Sequence, residues 1–240
     1  MKLLAIETST EACSVAVWID GQILERFEIA PRRHTELVLP WAGELLAEAG
    51  IAKSQLDAIA VGRGPGAFTG VRLAVALVQG MALALDKPVL PISTLATLAL
   101  PAMPSDLAPQ QDLRVLAAID ARMGELYLGL FRGDSRQLLT GVGEEWMAST
   151  AAPALALDFP VVGVGSGFAA DSQLLVAALG GRLASFDSNA LPHAADVARL
   201  AALAFERGEA IAADLLEPAY LRNKVALTIA EQAQARGDRG

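Results

Sequence analysis

The chain has 240 residues, a formal net charge of −8 and 53% hydrophobic residues, enough for one large domain or two lobes of ordinary size. Its acidic balance argues against nucleic-acid binding by this chain alone, because neutralising phosphates takes a basic surface. One cysteine, Cys13, and two histidines, His34 and His193, exclude an intrachain disulfide and any histidine- or cysteine-rich metal site.

The apolar segments favour a cytoplasmic protein. No uninterrupted apolar run reaches the roughly 18 residues that a membrane-spanning helix needs. Near the N-terminus, Glu7 interrupts the apolar residues 3–6 before the core of a signal peptide could form. We therefore expect neither a membrane span nor export, and the single Cys13 fits a reducing compartment.

The first part of the chain predicts an antiparallel meander followed by a helix. Three strands are predicted, over residues 3–6, 14–19 and 22–27. The dipeptide Asp20-Gly21 is typical of a hairpin turn between the second and the third. A helix is predicted over residues 35–49, in which Pro40 marks either a kink or the true start. A Rossmann domain would open strand-helix-strand instead.

A glycine-rich loop between a strand and a helix is the central feature of this half. A strand over residues 57–61 runs into residues 62–70, which hold four glycines, and a long helix continues to about Leu85. Backbone amides without neighbouring Cβ atoms can approach a ligand or another chain closely, and a helix N-terminus attracts anions. A tight turn that binds nothing is the simpler interpretation of the loop by itself.

The helix after this loop is apolar all round. Arg72 and Gln79 are the polar interruptions before Asp86, whereas a helix that rests on one sheet needs only one apolar stripe. Leaving three or four of its Val, Leu or Met side chains in water would forfeit about 1.5–3 kcal/mol each. We therefore predict that its outer face meets another helix, from this chain or from a partner.

Closely spaced prolines predict the boundary between two lobes. Pro101, Pro104 and Pro109 fall among polar residues, a composition typical of a linker. We place an N-terminal lobe over residues 1–104 and a C-terminal lobe over residues 105–240. A helix over residues 94–100 is expected to close the first lobe.

The second half repeats the pattern of the first. A strand, a turn and another strand follow the linker, and a second glycine loop covers residues 163–167. This recurrence predicts a duplicated fold. A helix over residues 192–208 is expected to pack back on the first lobe.

Four stretches of the chain form a recognisable set, over residues 6–10, 64–72, 120–127 and 218–222. Together they resemble the bacterial TsaB (YeaZ) family, which takes part in the biosynthesis of threonylcarbamoyladenosine in tRNA. The resemblance implies an α/β fold of two lobes, as in the actin, sugar-kinase and Hsp70 superfamily, with duplicated ribonuclease H-like mixed sheets flanked by helices. The strand order predicted above agrees with it.

The resemblance also implies a role in a complex. Proteins of this family pair with TsaD, their catalytic paralogue, and with the ATPase TsaE, to modify the adenosine next to the anticodon. This chain is then a non-catalytic scaffold subunit without a cofactor, which could self-pair when alone and reaches tRNA only through the complex. The partner interface is expected on the two first-lobe helices, at His34, Leu37, Val38, Trp41, Val71, Arg72, Val75, Val78, Gln79 and Ala82.

The metal-binding histidine pair of the catalytic paralogue is missing from this sequence. The paralogue carries two histidines four residues apart on its first long helix, whereas here Val38 stands four residues after His34. One imidazole cannot build an open Lewis-acid site. We therefore predict no catalytic and no metal residue, and an M22-type metallopeptidase is the less favoured alternative function.

An ATP-dependent small-molecule kinase of the same superfamily is the other alternative. The turn over residues 7–11 lacks the glycine that lets such a turn wrap a phosphate. Glu7 could meet a magnesium ion and Asp120 could act as a base, but a salt bridge or a turn cap is the simpler interpretation of both. The candidate nucleotide-contacting residues are Glu7, Thr8, Ser9, Asp120, Gly163 and Gly165.

Overall fold

A computed structural model describes residues 1–103, 114–133, 139–151, 153, 155 and 157–222. Within these residues the chain forms two mixed β-sheets with helices on both faces. Two of the predicted linker prolines, Pro104 and Pro109, lie outside the described residues. The lobe boundary that we placed between residues 104 and 105 lies there too.

The first sheet has five strands in the order β3-β2-β1-β4-β5. These are β1 (Lys2–Glu7), β2 (Ala12–Ile19), β3 (Gln22–Ile29), β4 (Ala58–Gly62) and β5 (Val89–Ile92). The first three form the predicted antiparallel meander, and β4 and β5 run parallel to β1. Asp20 and Gly21 both adopt positive φ between β2 and β3, as a tight hairpin turn requires.

The second sheet repeats this order as β8-β7-β6-β10-β11, with β9 also paired to β7. Its strands are β6 (Arg114–Arg122), β7 (Glu125–Gly133), β8 (Leu139–Gly141), β9 (Trp146–Ser149), β10 (Val161–Val164) and β11 (Leu183–Asp187). An antiparallel hairpin lies on one side of β6, and parallel strands lie on the other. The predicted duplicated fold is therefore confirmed.

Five α-helices lie within the described residues. They are α1 (His34–Glu48), α2 (Phe68–Leu85), α3 (Thr94–Ala99), α4 (Leu174–Leu179) and α5 (Ala194–Glu206). Because α1 begins at His34, Pro40 lies inside this helix and does not mark its start. Pro40 is exposed, so the carbonyl that loses its helical partner there can bind water.

Alternating side chains of β1 fill the two faces of the first sheet. Leu4 and Ile6 belong to the core beneath α1 and α2, whereas Leu3 and Ala5 pack under α5. All four side chains are at most 2% exposed. Successive strand residues point to opposite faces, so the apolar run over residues 3–6 reflects a sheet that is covered on both sides.

Helix α3 packs on the second sheet, which differs from our expectation that it closes the first lobe. Its buried Leu95, Leu98 and Ala99 form one cluster with side chains of β6, β7 and β10. Helix α5, which comes from the second half, packs on the first sheet. Each half therefore contributes a helix to the core of the other, and this exchange ties the two sheets together.

Helix α2 is, within the described part of the chain, the one helix that is long and apolar enough to cross a membrane by length and composition. It lies against the first sheet, and six of its 18 residues are buried. Its other apolar residues are half-buried or exposed, among them Ala76, Leu83 and Ala84. The apolar surface of α2 is therefore wider than its contact with the sheet.

Side chains of the first sheet hold the start of α5. Ser14 Oγ accepts a hydrogen bond from the Ala194 N–H at 2.9 Å, and Glu25 Oε1 accepts one from the Ala195 N–H at 3.0 Å. His193 Nδ1 lies 3.2 Å from Glu25 Oε2, and hydrogen bonding to Glu25 raises the pKa of His193. Burial alone would raise the pKa of Glu25, but the hydrogen bonds that its carboxylate accepts outweigh this effect. The pKa of Glu25 is therefore lowered.

Stability should depend on pH through His193. A raised pKa in the folded state stabilises the fold fully below the unfolded value of 6.5, and this contribution is lost as the pH rises through the raised value. We expect the free energy of unfolding to fall more between about pH 6 and about pH 9 in the parent than in His193→Gln, measured by urea titration. Equal pH profiles would show that the pair is not formed in solution.

Candidate functional site

The glycine loop lies tightly against the turn after β1. Ala67 N–H donates to Ser9 O at 2.7 Å, and Thr8 Oγ1 donates to Gly70 O at 2.8 Å. A Cβ at Gly70 would lie 2.0 Å from Thr8 O, and one at Gly66 would lie 2.4 Å from Ser9 O. These two glycines therefore let two backbone segments of this chain meet.

Glu7 is enclosed in the first lobe and does not reach the cleft. Its Oε1 accepts a hydrogen bond from Ser9 N–H at 2.6 Å, and its Oε2 accepts one from the Thr94 hydroxyl at 3.3 Å. A Cβ at Gly62 would lie 1.8 Å from Oε2. Burial raises the pKa of Glu7 despite these hydrogen bonds. Glu7 and Thr8 are 1% and 0% exposed and neither lines the cleft, so the structure does not support our assignment of both to a nucleotide site.

Asp120 faces the cleft but is occupied by its own neighbours. Its Oδ1 accepts a hydrogen bond from Arg122 N–H at 2.8 Å, and its Oδ2 lies 2.9 Å from Arg122 Nη1. Its own N–H donates to Ser166 Oγ at 3.1 Å. This arrangement is the turn cap and ion pair that we considered the simpler interpretation of Asp120, and a carboxylate so engaged is a poor general base.

The second glycine loop serves packing inside the second lobe. A Cβ at Gly163 would lie 2.4 Å from the ring of Phe168, and one at Gly165 would lie 2.4 Å from Ala118 O. Both glycines are buried, and neither lines the cleft. The structure therefore corrects their assignment to a nucleotide site, because the space beside each is filled by this chain.

The two lobes enclose a cleft of about 720 Å³. Ser9 and Asp120 are the nucleotide candidates that line it. The other walls come from the start of α1, the start of α2, the β6–β7 turn, and residues 218–222. The cleft thus brings together all four stretches on which the family resemblance rests.

The histidines and the cysteine form no metal centre among the described residues, where no three His, Cys, Asp or Glu side chains are grouped to hold an ion. His34 Nε2 lies 3.1 Å from Ala12 O, so its ring nitrogen has a backbone partner. Burial, together with the charge of Glu28, raises the pKa of the Cys13 thiol to about 12. Cys13 therefore stays protonated and unreactive at neutral pH.

Half of the ten side chains that we assigned to the partner interface are buried. Five are at most 5% exposed, namely Val38, Val71, Val75, Val78 and Ala82. All but Val71, which lines the cleft, belong to the first-lobe core. Because they are buried, the structure does not present these five side chains to a partner. The reason is the rotational phase of each helix, since an all-round apolar helix does not reveal which side meets the sheet.

The remaining assigned side chains are half-buried. Gln79 Nε2 donates to Leu216 O at 3.0 Å, and the Arg72 guanidinium lies over the ring of Phe68. Both therefore turn toward their own chain. Leu37 and Trp41 pack against the first-lobe core, and with His34 they stay predictions at the edge of an interface.

The outward face of α1 and α2 consists of other residues, which the sequence analysis missed. Leu39 and Leu83 are 50% and 67% exposed. We define the outer helix face as these two leucines with Pro40, Gly43, Ala47, Ala76, Gly80 and Ala84. A Cβ at Gly43 or Gly80 would meet nothing within 4 Å. The small residues at these positions are the sequence feature that could have indicated this face, because they let a second helix approach closely.

Comparison with known proteins gives consistent matches over nearly the whole chain. A family model described as "TsaD: tRNA N6-adenosine threonylcarbamoyltransferase" matches residues 27–230. The protein named "tRNA threonylcarbamoyladenosine biosynthesis protein TsaB" from Escherichia coli (strain K12) is 39% identical, over 94% of this chain and 96% of its own length. Its namesake from Bacillus subtilis (strain 168) is 30% identical, over 92% and 94%.

A solved structure shows the same fold. "YeaZ from Pseudomonas aeruginosa" superposes with a TM-score of 0.81 and 43% sequence identity, over 92% of this chain and 99% of that chain. At this level of identity and coverage, the likeness extends to both lobes.

Proposed function

This chain belongs to the TsaB (YeaZ) family of tRNA threonylcarbamoyladenosine biosynthesis proteins, and from this we propose that it is the scaffold subunit of a tRNA threonylcarbamoyl transferase. In this proposal it binds a TsaD-type catalytic partner and works with a TsaE-type ATPase in the cytoplasm. The adenosine next to the anticodon of tRNA is then modified by the partner. The kinase and metallopeptidase alternatives are not favoured, because the relatives carry the TsaB name.

The outer helix face carries this proposal. It places Leu39 and Leu83 in water on the two neighbouring helices that cover one side of the first sheet. Exposed apolar side chains grouped on the outward sides of helices often mark a protein interface. The small residues of the face let a partner helix approach to the distance at which side chains interdigitate. A TsaD-type partner would cover this face, and a second copy of the chain could cover it when the partner is absent.

The chemistry of the described residues supports an accessory role. Glu7 is sealed away from the cleft, and both carboxylate oxygens of Asp120 are engaged by Arg122. A general base needs a carboxylate within hydrogen-bond reach of substrate. This chain therefore contributes a surface, and its partner contributes the reacting groups.

Reconstitution of tRNA modification tests this proposal. The cognate TsaD- and TsaE-type proteins, tRNA, threonylcarbamoyl-adenylate and ATP are combined with and without this chain, and threonylcarbamoyladenosine is measured by mass spectrometry of digested tRNA. We expect modification only when the chain is present, and none from the chain alone. Full modification without the chain, or modification by the chain alone, would overturn the scaffold role.

A further inference from the structure

The inter-lobe cleft is more basic than the rest of the protein. Arginines contribute four of its lining residues, whereas two acidic residues, Glu11 and Asp120, line it. These arginines are Arg32, Arg72, Arg122 and Arg222. Arg122 forms an ion pair with Asp120 and Arg222 forms one with Glu125, so the positive charge available to an anion comes mainly from Arg32 and Arg72. In a chain with a net charge of −8, such a local excess of positive charge is a candidate site for an anion.

Exposed aromatic rings stand beside these arginines. The Arg72 guanidinium lies 3.3 Å from the ring centroid of Phe68 and 5.0 Å from that of Tyr220. The two rings are 62% and 56% exposed, so each can still accept a flat group from the solvent side. Proteins that bind single-stranded RNA combine such rings with arginine, because every base can stack on an aromatic face.

The start of α2 supplies donors for a phosphate in the same cleft. No side chain caps this helix and no acidic residue lies in its first turn, so its first amides and its dipole can receive an anion. Ser9 lines the cleft here, and its side chain also contributes a hydrogen bond to the enclosed Glu7. The buried Nε of Arg222, another lining residue, has no hydrogen-bond partner, although its Nη2 donates to Ala121 O at 3.0 Å. Buried polar atoms are normally paired, so this Nε points to a missing ligand.

The size of the cleft limits what can enter it. Its volume of about 720 Å³ lies within the range of about 300–1,000 Å³ that holds one small ligand. A single nucleotide fits such a space, whereas a duplex does not.

We propose that this cleft holds an unpaired nucleotide of the RNA substrate, with its phosphate at the start of α2 beside Ser9 and Arg72 and its base stacked on Tyr220. The inference rests on the proposed function for the identity of the RNA. It goes beyond that function because tRNA then touches this chain as well as the catalytic partner. Because this chain is acidic, the partner supplies the other contacts to the RNA. The cleft adds contacts to one stacked base and its phosphate.

Substitution of Tyr220 in the complex with the TsaD-type partner tests this inference. We expect Tyr220→Ala to weaken binding of a fluorescent anticodon stem–loop RNA by about 5- to 100-fold in anisotropy titrations, the loss typical of one stacked base. Tyr220→Phe keeps the ring and should bind within about twofold of the parent. Arg207→Ala removes an exposed arginine outside the cleft, paired with Glu209, and should also bind like the parent.

A second measurement separates the phosphate from the base. Arg72→Ala should lower the slope of log affinity against log salt by about 0.7, as expected when one phosphate contact to a single strand is lost. Photocrosslinking of 5-bromouridine-substituted RNA to the parent complex should label residues 68–72 or 218–222. Unchanged RNA affinity of Tyr220→Ala in an intact complex, or crosslinks only outside these two segments, would overturn the inference.

Two further controls keep the result unambiguous. If free AMP binds the chain as tightly as the RNA does, the cleft is a site for free nucleotides and the inference is wrong. Size-exclusion chromatography of each variant with the partner shows whether the complex forms. If the parent chain forms no complex with the partner, the proposed function is refuted. If the complex of Tyr220→Ala forms and binds RNA as tightly as the parent complex, only the present inference is refuted.

Discussion

Replacing Leu83 with glutamate should abolish the association of this chain with its TsaD-type partner and leave its fold intact. Leu83 is 67% exposed on α2, so the free chain accommodates the charge in water. In the complex the same carboxylate would be buried against an apolar partner surface without a counter-ion, which is costly. We expect the dissociation constant to rise at least about 30-fold, as for the loss of an interface hot spot.

Isothermal titration calorimetry and co-elution with the partner measure this effect. Leu174→Glu is the matched control, because Leu174 is an exposed leucine on α4 of the second lobe. It should leave the association unchanged. Val78→Glu, in contrast, places the charge at a fully buried position of the first-lobe core, so it should unfold the chain. Parent-like binding by Leu83→Glu would show that the outer helix face is not the interface.

Gly70→Ala should be among the most destabilising single-methyl changes in the first lobe. Its new Cβ would lie 2.0 Å from the backbone oxygen of Thr8, and a backbone atom cannot rotate away as a side chain can. The hydrogen bond from Thr8 Oγ1 to Gly70 O would be disturbed by the same shift. We expect a loss of about 1–3 kcal/mol or more in the free energy of unfolding, the range for overpacking a tight site.

Urea unfolding of Gly70→Ala and Gly80→Ala makes this comparison within one helix. A Cβ at Gly80 would meet nothing within 4 Å, so alanine there should stabilise the helix by about 0.5–1 kcal/mol. Gly80→Ala should at the same time weaken partner binding, since it thickens the outer helix face. If the two variants unfold at the same urea concentration, the close contact between the glycine loop and the turn after β1 is not present in solution.

Motifs and strand patterns in the sequence predicted the family and the architecture correctly. The Asp20-Gly21 turn and the short strand segments around it predicted the antiparallel meander. The recurrence of this pattern in the second half predicted the second sheet. These signals are local, because a hairpin turn and a strand period are properties of a few consecutive residues. The role of the glycine loop was open from the sequence, since missing Cβ atoms admit a phosphate and a neighbouring backbone equally well. The contacts at Gly66 and Gly70 showed that these two glycines admit the neighbouring backbone.

The sequence by itself determined most of the strand and helix segments, that the two halves share one plan, and which family the chain belongs to. Only the tertiary structure decided which side of α2 is buried, which sheet α3 covers, and that Ser9, Arg72 and Tyr220 meet at one cleft. These properties depend on contacts between residues far apart in the chain. A helix that is apolar all round carries no local mark of its buried side, so packing against the sheet alone sets its rotation.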